Sequence, residues 1–273
     1  MAVAMVMAVA SLTGMVAADA NIVQTEYWNS HSVALMDGVK VEQGVALSDD
    51  PVVQFMLVQA RSRAGHSTDI DAYDNVARVK RVFNEAKYDE WSDQRADIYT
   101  YNNFLRAVAK YPAFCGEANS PRGLSDDDAC KRALATLFAN VNHASAKLSE
   151  TSENGCSGAT DCPRGPLMIE SSEYNDFSSS FYDGLDRENE LVDNAERVST
   201  DGYVSWSSAI WRYVTPAPYG PSALGVMSGF FTPNTADTNI KHYAGFGTSM
   251  VVLNTNVCTW SENDDSRAMQ SDF

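Results

Sequence analysis

Apolar residues through the middle of the chain recur at the three-to-four-residue spacing of helices buried on one face. In the stretch from Cys130 to Glu150, CKRALATLFANVNHASAKLSE, Leu134, Leu137, Phe138, Val141 and Leu148 fall on one such stripe. Ser125 and the run Asp126, Asp127, Asp128 precede it, placing a side-chain acceptor and negative charge where a helix start exposes free N–H groups and a positive dipole end. On that spacing Ala144 projects from the buried side, beside His143, near the far end of the helix. Val79, Val82, Phe83 and Ala86 predict a second helix closed by Trp91, and Phe104, Leu105, Val108 and Ala109 a third, ended by Pro112. Leu191, Val192, Ala195 and Val198 predict one amphipathic turn. Tyr203 to Val214 reads as an aromatic-rich helix stopped by Thr215 and Pro216.

Other segments are less regular. PVVQFMLVQA, from Pro51 to Ala60, fits a buried strand or a helix equally, because periodicity does not separate the two over so short a run. TSENGCSGATDCPRGP and PAPYGPSALG read as loops rich in small residues and proline. Thr232 and Pro233, followed by Asn234, Thr235 and Asp237, read as a helix start, with Gly245 and Gly247 marking its exit. The fold class expected is mainly α, with long loops and little sheet.

Composition narrows this picture. With 273 residues, 44% of them hydrophobic and 21% charged, the chain is long and apolar enough for a globular core. Thirty-six acidic against twenty basic residues give a net charge of −16 with no basic cluster, which excludes a nucleic-acid partner on electrostatic grounds. Residues 1–20 form an apolar run ending in Ala18, Asp19 and Ala20, the small-x-small pattern of a secretory signal peptide cleaved before Asn21. As a membrane anchor that run is short, and no other segment has the length to span a bilayer, so no membrane partner is expected. The organisation expected is a signal peptide over 1–20, an N-terminal extension without assigned role over 21–78, and a helical domain over 79–273.

Five cysteines suit an oxidising compartment. Cys156 and Cys162 can close a small ring, Cys115 and Cys130 flank a second loop, and Cys258 is left over. No CxxC pair or histidine cluster accompanies them, so neither a metal nor another cofactor is expected.

Three segments, in order, carry a resemblance. YTYNNFLRAVAKYPAF at 99–114 is similar to the opening helix of the family 19 glycoside hydrolases, the plant-type chitinases. CPRGPLMIESSEYN at 162–175 resembles that family's Gly-Arg-Gly-Pro and Asn-Tyr-Asn region. SSAIWRYVTPAPYGPSALGVMSGFFTPNTADTNIKHYAGFGTSMVVLN at 207–254 follows its Ala-Leu-Trp, Thr-Pro, Pro-Ser, Trp-Thr-Pro, Ala-Asp and Gly-Phe-Gly landmarks at nearly unchanged spacing. The resemblance implies a lysozyme-like helical domain with long disulfide-stapled loops. It also implies that Cys258 pairs with a cysteine beyond Phe273, so the C-terminus is expected to be truncated.

The chemistry implied is cleavage of a glycosidic bond with inversion. That needs a protonated carboxylic acid at the leaving oxygen and a second carboxylate, roughly 6.5–9.5 Å away, to activate water. In the resembled family the acid belongs to a His-Glu-Thr motif, which here reads His143, Ala144, Ser145. A methyl group cannot donate a proton, which removes a general-acid contribution of roughly 10²- to 10⁴-fold. The loop carrying the family's second carboxylate is shortened to twenty residues between His143 and Arg164, which leaves Glu150 and Glu153 in it. Met168 stands at the family's Gln and Glu170 at the Ser or Thr that holds the attacking water. Either glutamate of the loop, and Glu170, also reads plainly as a solvated surface carboxylate.

Several cleft positions persist by resemblance: Asn175 at a substrate-contacting Asn, Asn254 at an Asn before a Gly-Gly, Arg267 at an Arg that pairs with the acid, and Tyr101 and Trp211 at aromatic positions. Each has a structural alternative: Trp211 as core, Arg267 paired with Asp264 or Asp265, and His143 as a helix-end histidine. The resemblance thus implies a secreted, monomeric protein that recognises chitin, the β-1,4-linked N-acetylglucosamine polymer, with hydrolysis lost or weak. Two alternatives remain: an active endochitinase using Glu170 with Glu150 or Glu153, and a structural extracellular protein that kept only the fold.

Overall fold

The computed structural model describes residues 62–63, 69–116, 123–154, 156, 161–182, 187, 189–216, 221–229, 231, 233 and 243–253. The signal-peptide segment, the run from Pro51 to Ala60, the helix start around Asn234 to Asp237, Asn254, Cys258 and Arg267 lie outside them. The chain divides into two compact units, one built from residues 59–119 and 124–215, the other including 216–273.

In the first unit, helices α1 (Asp74–Val82), α2 (Glu85–Trp91), α3 (Tyr101–Lys110), α4 (Asp126–Ala144), α5 (Tyr174–Phe181), α6 (Glu190–Asp193), α7 (Arg197–Thr200) and α8 (Gly202–Val214) follow in order. Short 3₁₀ turns cover Ile70–Ala72 and Ser171–Glu173. Among the described residues the only β pairing is two isolated bridges. The fold is mainly α, as the periodicity predicts.

The helix expected from Val79 to Trp91 is two helices. Phe83 leaves helical geometry, and Asn84 caps the second helix by accepting from the N–H of Lys87 at 3.1 Å. Helix α1 begins at Asp74 and so runs across position 79, where the expected domain began. Helix α4 starts as expected: the hydroxyl of Ser125 accepts from the N–H of Asp128 at 3.2 Å. The carboxylate of Asp126 meets Arg78 at 3.0 Å, so the acidic first turn also ties α4 to α1. Helix α8 ends at Val214, one residue before Thr215 and two before Pro216.

The core gathers around Trp206, fully buried on α8, which packs along α3. Its ring lies 4.9 Å from Phe104, 5.7 Å from Phe138, 5.9 Å from Tyr99 and 6.2 Å from Tyr88, so α2, α3 and α4 all close on one indole. Asn75, buried on α1, donates to the carbonyls of Val108 at 2.7 Å and Phe114 at 3.2 Å, tying α1 to the last turn of α3 and the turn after it. Disulfides join Cys115 to Cys130 and Cys156 to Cys162.

In the second unit α9 (Ala223–Ser228) packs against α10 (Phe246–Leu253). The sequence pattern reads PAPYGPSALG wholly as loop, yet Ser222 accepts from the N–H of Gly225 at 2.9 Å and starts α9 within it. Gly245 precedes α10 and Gly247 lies in its first turn, because the apolar run after them, with Met250, Val252 and Leu253 buried, is helical; the helix expected before them lies outside the described residues. No helix of the described residues is long and apolar enough to cross a membrane.

Candidate functional site

Helix α4 ends at Ala144, and the stripe does not continue as helix to Leu148. Ser145, fully buried, turns its hydroxyl back to the carbonyl of Val141 at 2.9 Å, and Ala146, Lys147 and Leu148 then take left-handed φ values of 47°, 57° and 70°. Such angles cost a non-glycine residue about 1–2 kcal/mol each. The surroundings hold the turn in place. Leu148 remains fully buried although it left the helix, its carbonyl accepts from the N–H of Ala96 at 2.8 Å, and the N–H of Glu150 reaches the carbonyl of Ser145 at 3.1 Å. His143 is exposed in the last turn of α4, and Ala144 is half-buried beside it. The side chain of Glu150 accepts from Asn154.

Beyond the turn, three short segments lie side by side. Ser152 pairs antiparallel with Arg164, and Arg164 with Ile169. The N–H of Gly165 donates to Thr151 at 3.0 Å, that of Glu153 to Pro163 at 3.1 Å, and Arg164 and Ile169 exchange bonds of 3.2 and 2.9 Å. Arg164 and Ile169 are buried, whereas Glu153 and Glu170, one residue on and each neighbouring Pro163, are exposed. By register Glu153 and Glu170 both fall opposite Pro163. Two strand spacings separate their backbones by about 10 Å.

The middle segment is held from beneath. Arg164 donates to the carbonyl of Cys162 at 2.8 Å and to the hydroxyl of Tyr174 at 3.1 Å, and Tyr174 donates to the same carbonyl at 2.6 Å. Burial pushes the Tyr174 hydroxyl above its ordinary pKa, so it stays a donor. Gly165 has φ of 84°, and a Cβ there would meet the Ser208 hydroxyl at 2.8 Å, so the turn rests on α8 at a point only glycine fits.

Glu170 opens the 3₁₀ turn Ser171–Glu173 in a capping box with Glu173. Its N–H donates to Glu173 Oε2 at 3.1 Å, while Glu173 Oε1 meets Arg212 Nε on α8 at 2.6 Å. Asn175, exposed, follows in the first turn of α5. Tyr101 and Trp211 belong to the packed interior. Trp211 is 5% exposed with its ring 5.5 Å from Phe177, and Tyr101, 7% exposed, donates its hydroxyl to the carbonyl of Phe83 at 2.7 Å. Little ring face is left on either for a sugar to stack upon. The structure therefore brings His143, Ala144, Glu150, Glu153, Glu170 and Asn175 onto one unit, on the end of α4, the paired segments and the start of α5.

Sequence reasoning passed over Glu173 and Arg212. Their signals were present: ESSE at 170–173 has capping-box spacing, and Arg212 is the one charged residue in the apolar and small-residue run of α8.

Comparison with known proteins gives a consistent picture. Residues 156–271 match a family model described as "Chitinase class I". The acidic endochitinase of Petunia hybrida is 28% identical over 170 residues, covering 58% of this chain and 62% of the relative. Chitinase 8 of Oryza sativa subsp. japonica is 30% identical over 182 residues, covering 61% and 65%. An endochitinase of Solanum tuberosum is 30% identical over 193 residues, covering 60% and 55%. The chain spans less than two thirds of the length of these relatives. Chitinase C from Streptomyces griseus HUT6037 superposes with a TM-score of 0.52 at 21% identity, covering 70% of this chain and 73% of that one, which shows a shared fold.

Proposed function

We propose, for a chain that carries a family 19 chitinase domain, that it is a secreted protein recognising β-1,4-linked N-acetylglucosamine polymers with hydrolysis lost or weak. The observation that carries the reading is the end of α4. The helix stops on Ala144, where the resemblance places the proton donor, and a methyl group stands there on an otherwise ordered frame of Leu137, Val141 and Leu148. Without a general acid the leaving oxygen departs unprotonated, whereas recognition needs only exposed polar groups over a rigid support. In this reading the exposed His143 and Asn175 supply direct contacts, while Tyr101 and Trp211 belong to the buried core. The resemblance adds Asn254 and Arg267, which lie outside the described residues. Titration with the N-acetylglucosamine hexamer by calorimetry, and chromatography of the same mixture after prolonged incubation, tests it: binding is expected and products are not. Absence of binding sinks the recognition reading.

A second reading rests on the register of Glu153 and Glu170. Backbones about 10 Å apart on one face bring the two carboxylates within reach of the 6.5–9.5 Å that inversion requires. Glu150 has the wrong parity for that face and its carboxylate takes the amide of Asn154. If the hexamer is cleaved, products should disappear in both Glu153→Gln and Glu170→Gln. Cleavage that survives either change rules this pair out.

A further inference from the structure

We infer that Glu173 is a positioning residue, a two-way tether that fixes the segment carrying Glu170 and Asn175 to the central helix; this rests on the recognition reading above. The two oxygens of one carboxylate point to different partners. Oε1 lies 2.6 Å from Arg212 Nε on α8, and Oε2 accepts from the N–H of Glu170 at 3.1 Å.

Arg212 is a firm anchor because twelve of the thirteen residues of α8 are buried, which leaves the helix no freedom to rotate. The segment it holds is the opposite kind of element. A 3₁₀ turn of three residues with none of them buried has little cohesion of its own, and the exposed Glu170 that opens it, like the entry to α5 that carries Asn175, gains order from the tether. The ion pair itself is sheltered, with 14% of the Arg212 side chain and 24% of that of Glu173 accessible, so it is screened far less than an exposed pair. The hydrogen bond to Glu170 is charge-assisted. Glu173 thus orders the groups on either side of it without itself facing the sugar, and it lowers the ordering cost that binding would otherwise carry.

The test combines a double-mutant cycle with amide exchange on the full chain. Glu173→Ala, Arg212→Ala and the double variant are titrated with the N-acetylglucosamine hexamer, and hydrogen exchange is read at the Glu170 amide. Each single change is expected to weaken affinity by about tenfold, the double variant no further, and exchange at Glu170 to accelerate with Glu173→Ala. A residue that only stabilised the fold would lower the melting temperature and leave the affinity of the remaining folded protein unchanged. If Glu173→Ala does not fold, Glu173→Gln takes its place in the cycle. Binding by the wild type that is unchanged in the variants, or losses that simply add, overturns this inference alone. A wild type that does not bind the hexamer overturns the recognition reading and this inference with it.

Discussion

The hydroxyl of Ser145 donates to the carbonyl of Val141 at 2.9 Å, closing α4 with a side chain at the point where the main chain turns left-handed. The same oxygen accepts from the N–H of Leu148 at 3.3 Å, so one buried serine serves the right-handed helix and the left-handed turn that follows it. The turn persists because Leu148 is buried and its carbonyl is bonded to Ala96, which outweighs the backbone cost.

That balance gives a first prediction. Lys147 is exposed at φ of 57°, so its side chain contributes little packing while its Cβ carries the steric cost. Lys147→Gly removes the clash and adds some unfolded-state entropy, and stability should rise by roughly 0.5–1 kcal/mol. Urea denaturation measures it. A fall in the midpoint would mean that the left-handed geometry carries no strain.

Restoring the acid is a second test. In the proposed function Ala144→Glu returns a carboxyl group to the half-buried end of α4. It should recover little hydrolysis of the hexamer by itself, because inversion also needs a second carboxylate at a defined distance. Recovery above about 10²-fold, the scale of one general acid, would show that a partner carboxylate is already in place.

Gly165→Ala should be strongly destabilising for its size. The new methyl would stand 2.8 Å from the Ser208 hydroxyl, fully buried on α8, at a φ of 84° that alanine rarely takes. A loss of about 1–3 kcal/mol is expected in denaturant titration, and the paired segments carrying Glu153 and Glu170 should loosen with it, visible as faster amide exchange at Arg164 and Ile169.

The tyrosines set the response to alkali. Burial pushes Tyr101 up to about 12 and raises Tyr88, Tyr99, Tyr111, Tyr203 and Tyr213 as well, all chiefly through loss of solvent around the phenolate. A group whose pKa is higher in the folded state keeps its full stabilising effect below the unfolded value near 10 and loses it as pH climbs toward the folded value. The melting temperature should therefore be level up to about pH 9 and fall steadily from pH 10 to 12, the range set by Tyr101. Tyr101→Phe should make that slope shallower. A melting temperature that holds constant to pH 12 would show that these hydroxyls ionise freely in the folded protein.

Local spacing and chemistry in the sequence determined most of the helices. The stripe from Leu134 to Val141, the cap at Ser125 and the stop after Val214 each depend on neighbours a few residues away, and the structure places them as the pattern predicts. The two cysteine pairs, close in sequence, were legible for the same reason. The ending of α4 was not, because Leu148 satisfies the helical stripe and is buried all the same; only the bond from Ala96 and the buried hydroxyl of Ser145 show that it reaches the core from a left-handed turn. Nor could spacing separate Glu153 from Glu150, since which of them lies in register with Glu170 depends on antiparallel pairing through Pro163. Trp211 read as core or as platform, and its packing against Phe177 places it in the core. The tether from Glu173 to Arg212 joins residues 39 positions apart on different elements, and contacts of that kind are decided by how α5 and α8 come together. The sequence sets where a helix is favourable, because that free energy is local; the site's arrangement follows from long-range packing and register, which local periodicity does not encode.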